Sequence, residues 1–197
     1  STPYTFTNKA GEKQKGASKQ EQYFAHCTKA LFEKGLYDEC IFMCQKALES
    51  LEEFHNNNAI WFARRISLSF KELGDAEIAL ELFQNLLKKK RDWFMYKEIA
   101  EIYFELEDNE NALKYAIYGV LANANATENR DKKVNLYKLL AKLLLTTERE
   151  NKKEEAKKHI EFTYFIKKAN KWKIDAELNQ FVNEFQIDTK KNIDLKT

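Results

Sequence analysis

The sequence has little that bends or breaks a chain. Its 197 residues include one proline, Pro3, and five glycines. Sheets need frequent turn chemistry, so this scarcity points to an all-helical fold. No run approaches the roughly 18 apolar residues of a membrane span, and no membrane partner is expected. STPYTFTNKAGEKQKG, at the start, lacks the apolar stretch of a signal peptide. The first residue is Ser rather than Met, so the chain reads as a fragment or a processed form. The three cysteines, Cys27, Cys40 and Cys44, are odd in number and few. Free thiols in a reducing, cytoplasmic setting are the expectation. Excess charge of one sign is missing as well: the net charge is +2, too small to name a partner. Also absent are a phosphate-cradling glycine loop, a nucleophile elbow and paired histidine ligands on a helix. An enzyme is therefore the least favoured class, and no cofactor is expected.

What the sequence does have is helical periodicity and 44% apolar residues, enough for a sizeable core. The pattern is clearest over residues 93–121, WFMYKEIAEIYFELEDNENALKYAIYGVL. Tyr96, Ile99, Ala100 and Tyr103 form one stripe, and Ala112, Tyr115, Ala116 and Gly119 form another, with a polar turn Glu107–Glu110 between them. Two amphipathic helices folded back on each other are expected, with Ala100 and Ala112 letting the backbones approach. Neither buries its stripe alone, so neighbours are required.

Those neighbours precede and follow. Residues 20–50 read as helix, turn at Gly35, helix: Phe24, Cys27, Thr28 and Leu31 face inward, then Tyr37, Cys40, Ile41, Cys44, Ala47 and Leu48. The polar stretch His55–Asn58 breaks the pattern, and an Asn there is placed to cap the next helix. Residues 59–90 repeat the scheme with Ala63, Ile66, Ser67 and Phe70, a turn at Gly74–Asp75, and Ala79, Phe83, Leu86 and Leu87. A looser fourth copy follows the polar residues 123–130. Val134, Tyr137, Leu140, Ala141 and Leu144 make its first stripe. A longer turn covers 146–153, and Ala156, Ile160, Thr163, Tyr164 and Lys167 make the second. Ala176–Phe185 reads as a short helix capped by Asp175 that covers the open end of the array. Residues 1–19 read as a mobile arm, 20–187 as the repeat domain and 188–197 as a frayed tail.

These stripes and turns resemble the tetratricopeptide repeat (TPR), over roughly residues 20–165. The turn glycine is kept at Gly35 and Gly74 and replaced by Glu107, and the proline that ends each repeat in that family is absent. The resemblance implies antiparallel helix pairs in three clear repeats, an irregular fourth pair and a capping helix. It also implies a concave groove lined by the first helix of each repeat. Carried onto this chain, the ligand-facing positions are Gln22, Ala25, Lys29 and Phe32; Trp61, Arg64, Leu68 and Lys71; and Phe94, Lys97, Glu101 and Phe104. Cations among aromatics suit an extended peptide, aromatics anchoring side chains and cations holding carboxylates. The competing reading is that these aromatics pack against a neighbouring helix or the N-terminal arm. A protein or peptide partner for a non-catalytic scaffold is the leading expectation. A narrower likeness, over SKQEQYFAHCTKALFEKGLYDECIFMCQKALE and NNNAIWFARRISLSFKELGD, is to the helical tails of some bacterial proteins carrying a cold-shock domain.

Charge is unevenly spread. Residues 20–130 hold 13 Lys/Arg against 19 Asp/Glu, and residues 131–173 hold 13 against 6. The basic stretch, with Tyr164, Phe165 and Trp172 interleaved, makes nucleic acid the second partner class, through Lys167, Lys168, Lys171 and Lys173. A solvated helix face accounts for the same lysines. Lys88–Arg91 complements the dipole at a helix end. A self-associating module, with repeat ends stacking between copies, is the third reading. The three thiols read as core filler rather than metal ligands, since no C-x₂-C spacing is present. His55 and His159 read as surface residues without a catalytic partner.

Overall fold

A computed structural model describes residues 2–122, 131–146 and 150–191, with the side chain of Glu150 left aside. The expected polar connection at 123–130, part of the turn at 146–153 and the tail beyond 191 lie outside the described residues. A short hairpin, β1 (Tyr4–Thr7) and β2 (Lys13–Gly16), precedes nine helices among the described residues. The helices are α1 (Lys19–Glu33), α2 (Tyr37–Ser50), α3 (Asn58–Leu73), α4 (Ala76–Lys89), α5 (Trp93–Glu105), α6 (Asn109–Leu121), α7 (Val134–Leu145), α8 (Glu150–Ala169) and α9 (Ala176–Glu184). A 3₁₀ turn, Asp131–Lys133, leads into α7. None of these helices is long and apolar enough to cross a membrane. The chain divides into two compact units, residues 1–90 and 91–197.

In the first unit, α2 packs on both α1 and α3, α1 also touches α3, and α3 packs on α4. The core collects Phe24, Cys40, Ile41, Cys44, Ala47, Phe62 and Ile66. Where an arm was expected, β1 and β2 pair antiparallel from Tyr4 opposite Gly16 to Thr7 opposite Lys13. Asn8 makes the turn, its Oδ1 accepting from the Ala10 and Glu12 amides at 2.9 Å each. The Tyr4 ring lies over Gly16 so closely that a Cβ there would sit 2.4 Å from a ring carbon.

In the second unit, α5 pairs with α6, α7 packs on α6 and α8, and α8 carries α9. Its core runs from Ala100, Ala112 and Ala116 through Leu136, Leu140, Leu143 and Ile160 to Leu178 and Val182. Gly119 on α6 marks the tightest approach, since a Cβ there would meet Leu136 Cδ2 at 2.9 Å and the Trp93 carbonyl at 3.2 Å.

Five of the helices end alike. At α1, α3, α5, α8 and α9 a residue at or just after the cap is left-handed: Gly35, Gly74, Glu107, Lys171 and Gln186. The following amide then reaches back five residues, as from Leu36 to Leu31, Asp75 to Phe70 and Asp108 to Tyr103. Asp175 caps α9 by accepting from the Leu178 amide at 3.0 Å. The expected Asn cap of α3 is different. Asn57 holds the cap position with φ 60° but makes no side-chain cap bond. Asn56 and Asn57 are both left-handed, and their contribution is this backbone bend.

Candidate functional site

The first helix of each repeat carries the candidate ligand-facing positions. On α1, Lys29 is exposed and lies 3.7 Å from Glu33. Phe32 is half-buried against the unit's core and meets the Tyr37 ring edge-on at 5.5 Å. On α3, Trp61 and Arg64 are half-buried together, the guanidinium 5.6 Å from the indole centroid. Lys71 is half-buried on the same helix. The first unit thus brings Trp61 and Arg64 into direct contact. On α5, Phe94 sits edge-on to Trp93 at 6.0 Å, and Lys97 is paired with Glu101 one turn on. Phe104 is half-buried, with the Lys142 ammonium 5.1 Å from its ring centroid. For Phe32 and Phe104, packing against a neighbouring helix therefore accounts for part of each ring. Two hollows in the first unit lie by the hairpin, one of about 280 Å³ beside Pro3, Lys15, Ser18 and Leu51 and one of about 560 Å³ beside Thr2, Tyr4, Lys19 and the candidate Gln22.

The basic patch separates. Lys167 is buried, and its ammonium lies 2.9 Å from Asp175 Oδ2. It belongs to the inward stripe of α8, so it is withdrawn from any phosphate-binding face. Lys168 is exposed but donates to the Thr189 carbonyl at 2.6 Å. Lys171, in the left-handed turn, and Lys173 are exposed.

Two histidines expected on the surface are engaged inside. Glu21 on α1 is buried and accepts three bonds: from the His55 amide at 2.7 Å, from Asn58 Nδ2 at 2.8 Å, and at His55 Nδ1 at 2.9 Å. Burial works to raise the Glu21 carboxyl, and these bonds outweigh it and hold it below the ordinary glutamate range. Ser18 and Glu21 have the spacing of a capping box, and Ser18 Oγ accepts from the Glu21 amide at 3.1 Å. His159 stacks flat on Tyr137 with centroids 6.0 Å apart, and burial lowers its pKa.

The buried thiols form part of a polar knot. Cys40 donates to the Thr28 carbonyl at 3.3 Å, and Arg65 Nη1 donates to Thr28 Oγ1 at 3.1 Å. Cys44 is pushed well above the ordinary thiol range by the adjoining Cys40 and by burial. Cys27 is only half-buried. Among the described residues, no group of three or more His, Cys, Asp or Glu side chains is placed to hold a metal ion.

A cluster that sequence reasoning missed joins α7, α8 and α9. Lys138 lies 3.3 Å from Asp175 and 2.9 Å from Glu177, and Lys142 lies 2.9 Å from Glu177. Burial works to raise Asp175, but Lys167, the Leu178 amide and Lys138 hold it below the ordinary aspartate range. Lys142 and then Lys138 lower Glu177. Repeat register was the available signal. The stripe that places Lys97 and Glu101 outward on α5 places Lys138 and Lys142 outward on α7.

A family model described as "Domain of unknown function (DUF7017)" matches residues 60–195. No curated protein matches. Among solved structures, one described as "Functional Characterization of Pseudomonas Aeruginosa pilF" is similar with a TM-score of 0.66 at 11% identity, covering 84% of this chain and 67% of that one. MamA from Desulfovibrio magneticus RS-1, residues 41 to its end, is similar with a TM-score of 0.56 at 13% identity, covering 86% of this chain and 94% of that one. A TPR repeat-containing protein from Cytophaga hutchinsonii gives a TM-score of 0.50 at 12% identity, covering 82% and 63%. The fold is therefore that of TPR-like helical repeats. Nothing in these comparisons supports the likeness to cold-shock proteins.

Proposed function

Because the chain belongs to the DUF7017 family and carries a TPR-like helical-repeat fold, we propose that it is a non-catalytic scaffold that binds a protein segment along the first helices of its repeats. The observation that carries this reading is the chemistry of the outward positions on α3 and α5. Trp61 and Arg64 stack in the first unit, and Lys97 and Glu101 pair in the second. These mix aromatic faces with charges of both signs, which recognise an extended chain by its side chains and its carboxylates. Similarity to TPR-like structures supports protein binding as the class of function. It specifies no partner.

Arg64→Glu combined with Lys97→Glu is expected to abolish capture of a protein client from host lysate while leaving the far-ultraviolet circular dichroism unchanged. Capture is measured with and without nuclease. A client that survives nuclease and is lost in the double variant supports the scaffold. Undiminished capture by the double variant sinks the assignment of these helix faces. Capture that disappears with nuclease moves the function to nucleic acid, leaving Lys171 and Lys173 as the first phosphate contacts to test.

A further inference from the structure

Three large rings of the first unit stand in solvent: Tyr4 is 53% exposed, Phe6 40% and Tyr23 60%. Tyr4 and Phe6 are two residues apart on β1, so they share one face of the ribbon with their partners Gly16 and Gln14. Gly16 has no side chain, and the Tyr4 ring rests on it. The Phe6 ring stands 5.7 Å from that of Tyr4, tilted by 36°. The glycine thus seats the first ring, and the first ring braces the second. A lone exposed ring is ordinary, but a braced pair beside unneutralised cations is a surface of defined chemistry. Residues 1–19 carry four lysines and one acid, Glu12. Glu12 Oε2 already accepts from Asn8 Nδ2 at 2.9 Å. Lys15 lies 3.5 Å from Glu53. Lys9, Lys13 and Lys19 are exposed and, among the described residues, form no ion pair. Lys19 borders the larger hollow by the hairpin together with Tyr4 and Gln22. Tyr23 follows Lys19 by one turn on the same face of α1.

We propose that the hairpin and the start of α1 bind a single-stranded nucleic acid, its bases stacking on Tyr4 and Phe6 and its phosphates meeting Lys9, Lys13 and Lys19. Charge and shape choose this occupant. Residues 1–19 keep a net positive charge, which attracts a polyanion. Rings open to solvent suit a ligand with flat faces of its own, and stacking accepts any base. A duplex keeps its base faces buried, and an acidic peptide brings the charge without the faces. Lys13 pairs with Thr7 on the other side of the ribbon. The backbone of a bound strand therefore runs along the hairpin's edge, where flexible lysine stems from either face reach it. The site shares no residue with the candidate faces of α3 and α5, and it goes beyond the scaffold reading.

The test uses the full chain with fluorescein-labelled oligouridylate and oligothymidylate of ~15 nucleotides, read by fluorescence anisotropy. Three neutralised phosphates give a slope of about −2 in log affinity against log salt, a fall of roughly twenty-fold between about 50 and 200 mM. Tyr4→Leu and Phe6→Leu are each expected to weaken binding about ten-fold. Lys9→Gln, Lys13→Gln and Lys19→Gln together are expected to abolish it. That lysine variant keeps both rings, so its result holds even where a ring substitution loosens the hairpin. Failure of either strand to bind at the lower salt overturns the proposal. So does equal affinity for the matching duplex, or for an oligoglutamate of the same charge. Full affinity in the lysine variant overturns it too, as does a greater loss from Lys171→Gln with Lys173→Gln than from the three hairpin-side lysines.

Discussion

At the scale of single residues, the most consequential group is one that carries no recognisable motif. Glu21 is a buried carboxylate whose three bonds come from His55 and Asn58. Its pKa in the folded chain lies below the ordinary value, so its contribution is fully present above the ordinary glutamate range. That contribution is lost as the pH falls through the lowered folded value. Glu21→Gln is expected to cost about 1–3 kcal/mol at pH 7, the range for leaving buried partners poorly matched. The gap in urea midpoint between the chain and this variant should then narrow as the pH is lowered toward 4. A gap constant down to that pH would show that the negative charge is not its source. This arrangement was not legible, because periodicity along one helix carries no information about a bond to residues 34 positions away. His55 therefore looked like a surface residue. His159 misled similarly: its lysine-rich helix reads as solvated, whereas its ring lies flat on Tyr137.

At the scale of elements, the helix ends show what sequence can and cannot reveal. Gly35 and Gly74 announced their left-handed turns. Glu107, Lys171 and Gln186 adopt the same geometry with a side chain attached, and the polar stretch Glu107–Glu110 announced a turn but not its left-handed residue. A left-handed non-glycine residue is disfavoured by roughly 1–2 kcal/mol, partly offset by the greater freedom glycine has when unfolded. Glu107→Gly is therefore expected to stabilise the chain by about 0.5–1 kcal/mol, read as a higher thermal midpoint. A lower midpoint would mean that the Glu107 side chain contributes more than its backbone strain removes. The N-terminal hairpin was missed because Lys, Thr and Gln suggested an arm. Its signals were the alternation in Tyr4–Thr7 and the left-handed Gly11 after Asn8, a turn too short to outweigh the surrounding composition.

At the scale of the whole molecule, the repeat architecture was the most legible feature, because each stripe recurs and each copy confirms the next. Each unit has its own hydrophobic cluster. Phe62 is fully buried in the first, so Phe62→Ala is expected to cost about 3–5 kcal/mol. Urea unfolding and faster amide exchange in α1–α4 would register the loss; a cost below about 1 kcal/mol would mean that the surrounding side chains collapse into the space. The charge map was harder to read. The basic stretch suggested nucleic acid, but its lysines at 138, 142 and 167 are neutralised by acids that follow it in the chain. Composition counts those lysines and cannot see where the later acids fold back. The candidate faces on α1, α3 and α5 were legible as positions only, since register says which residues point outward and nothing about what they meet.

The bond from the His55 amide to Glu21 also closes a loop, spanning 34 residues. Closing a flexible loop of that size costs about 3 kcal/mol of chain entropy, and doubling it adds only about 0.6 kcal/mol more. The interval from Gly35 to Gly74 is 39 residues, against 33 from Gly74 to Glu107, and the extra residues fall near this clasp. A carboxylate thus performs the cross-linking task that disulfides perform elsewhere, while the cysteines stay free. Added length in the connection between α2 and α3 therefore carries little entropic penalty so long as Glu21 keeps hold of its far end.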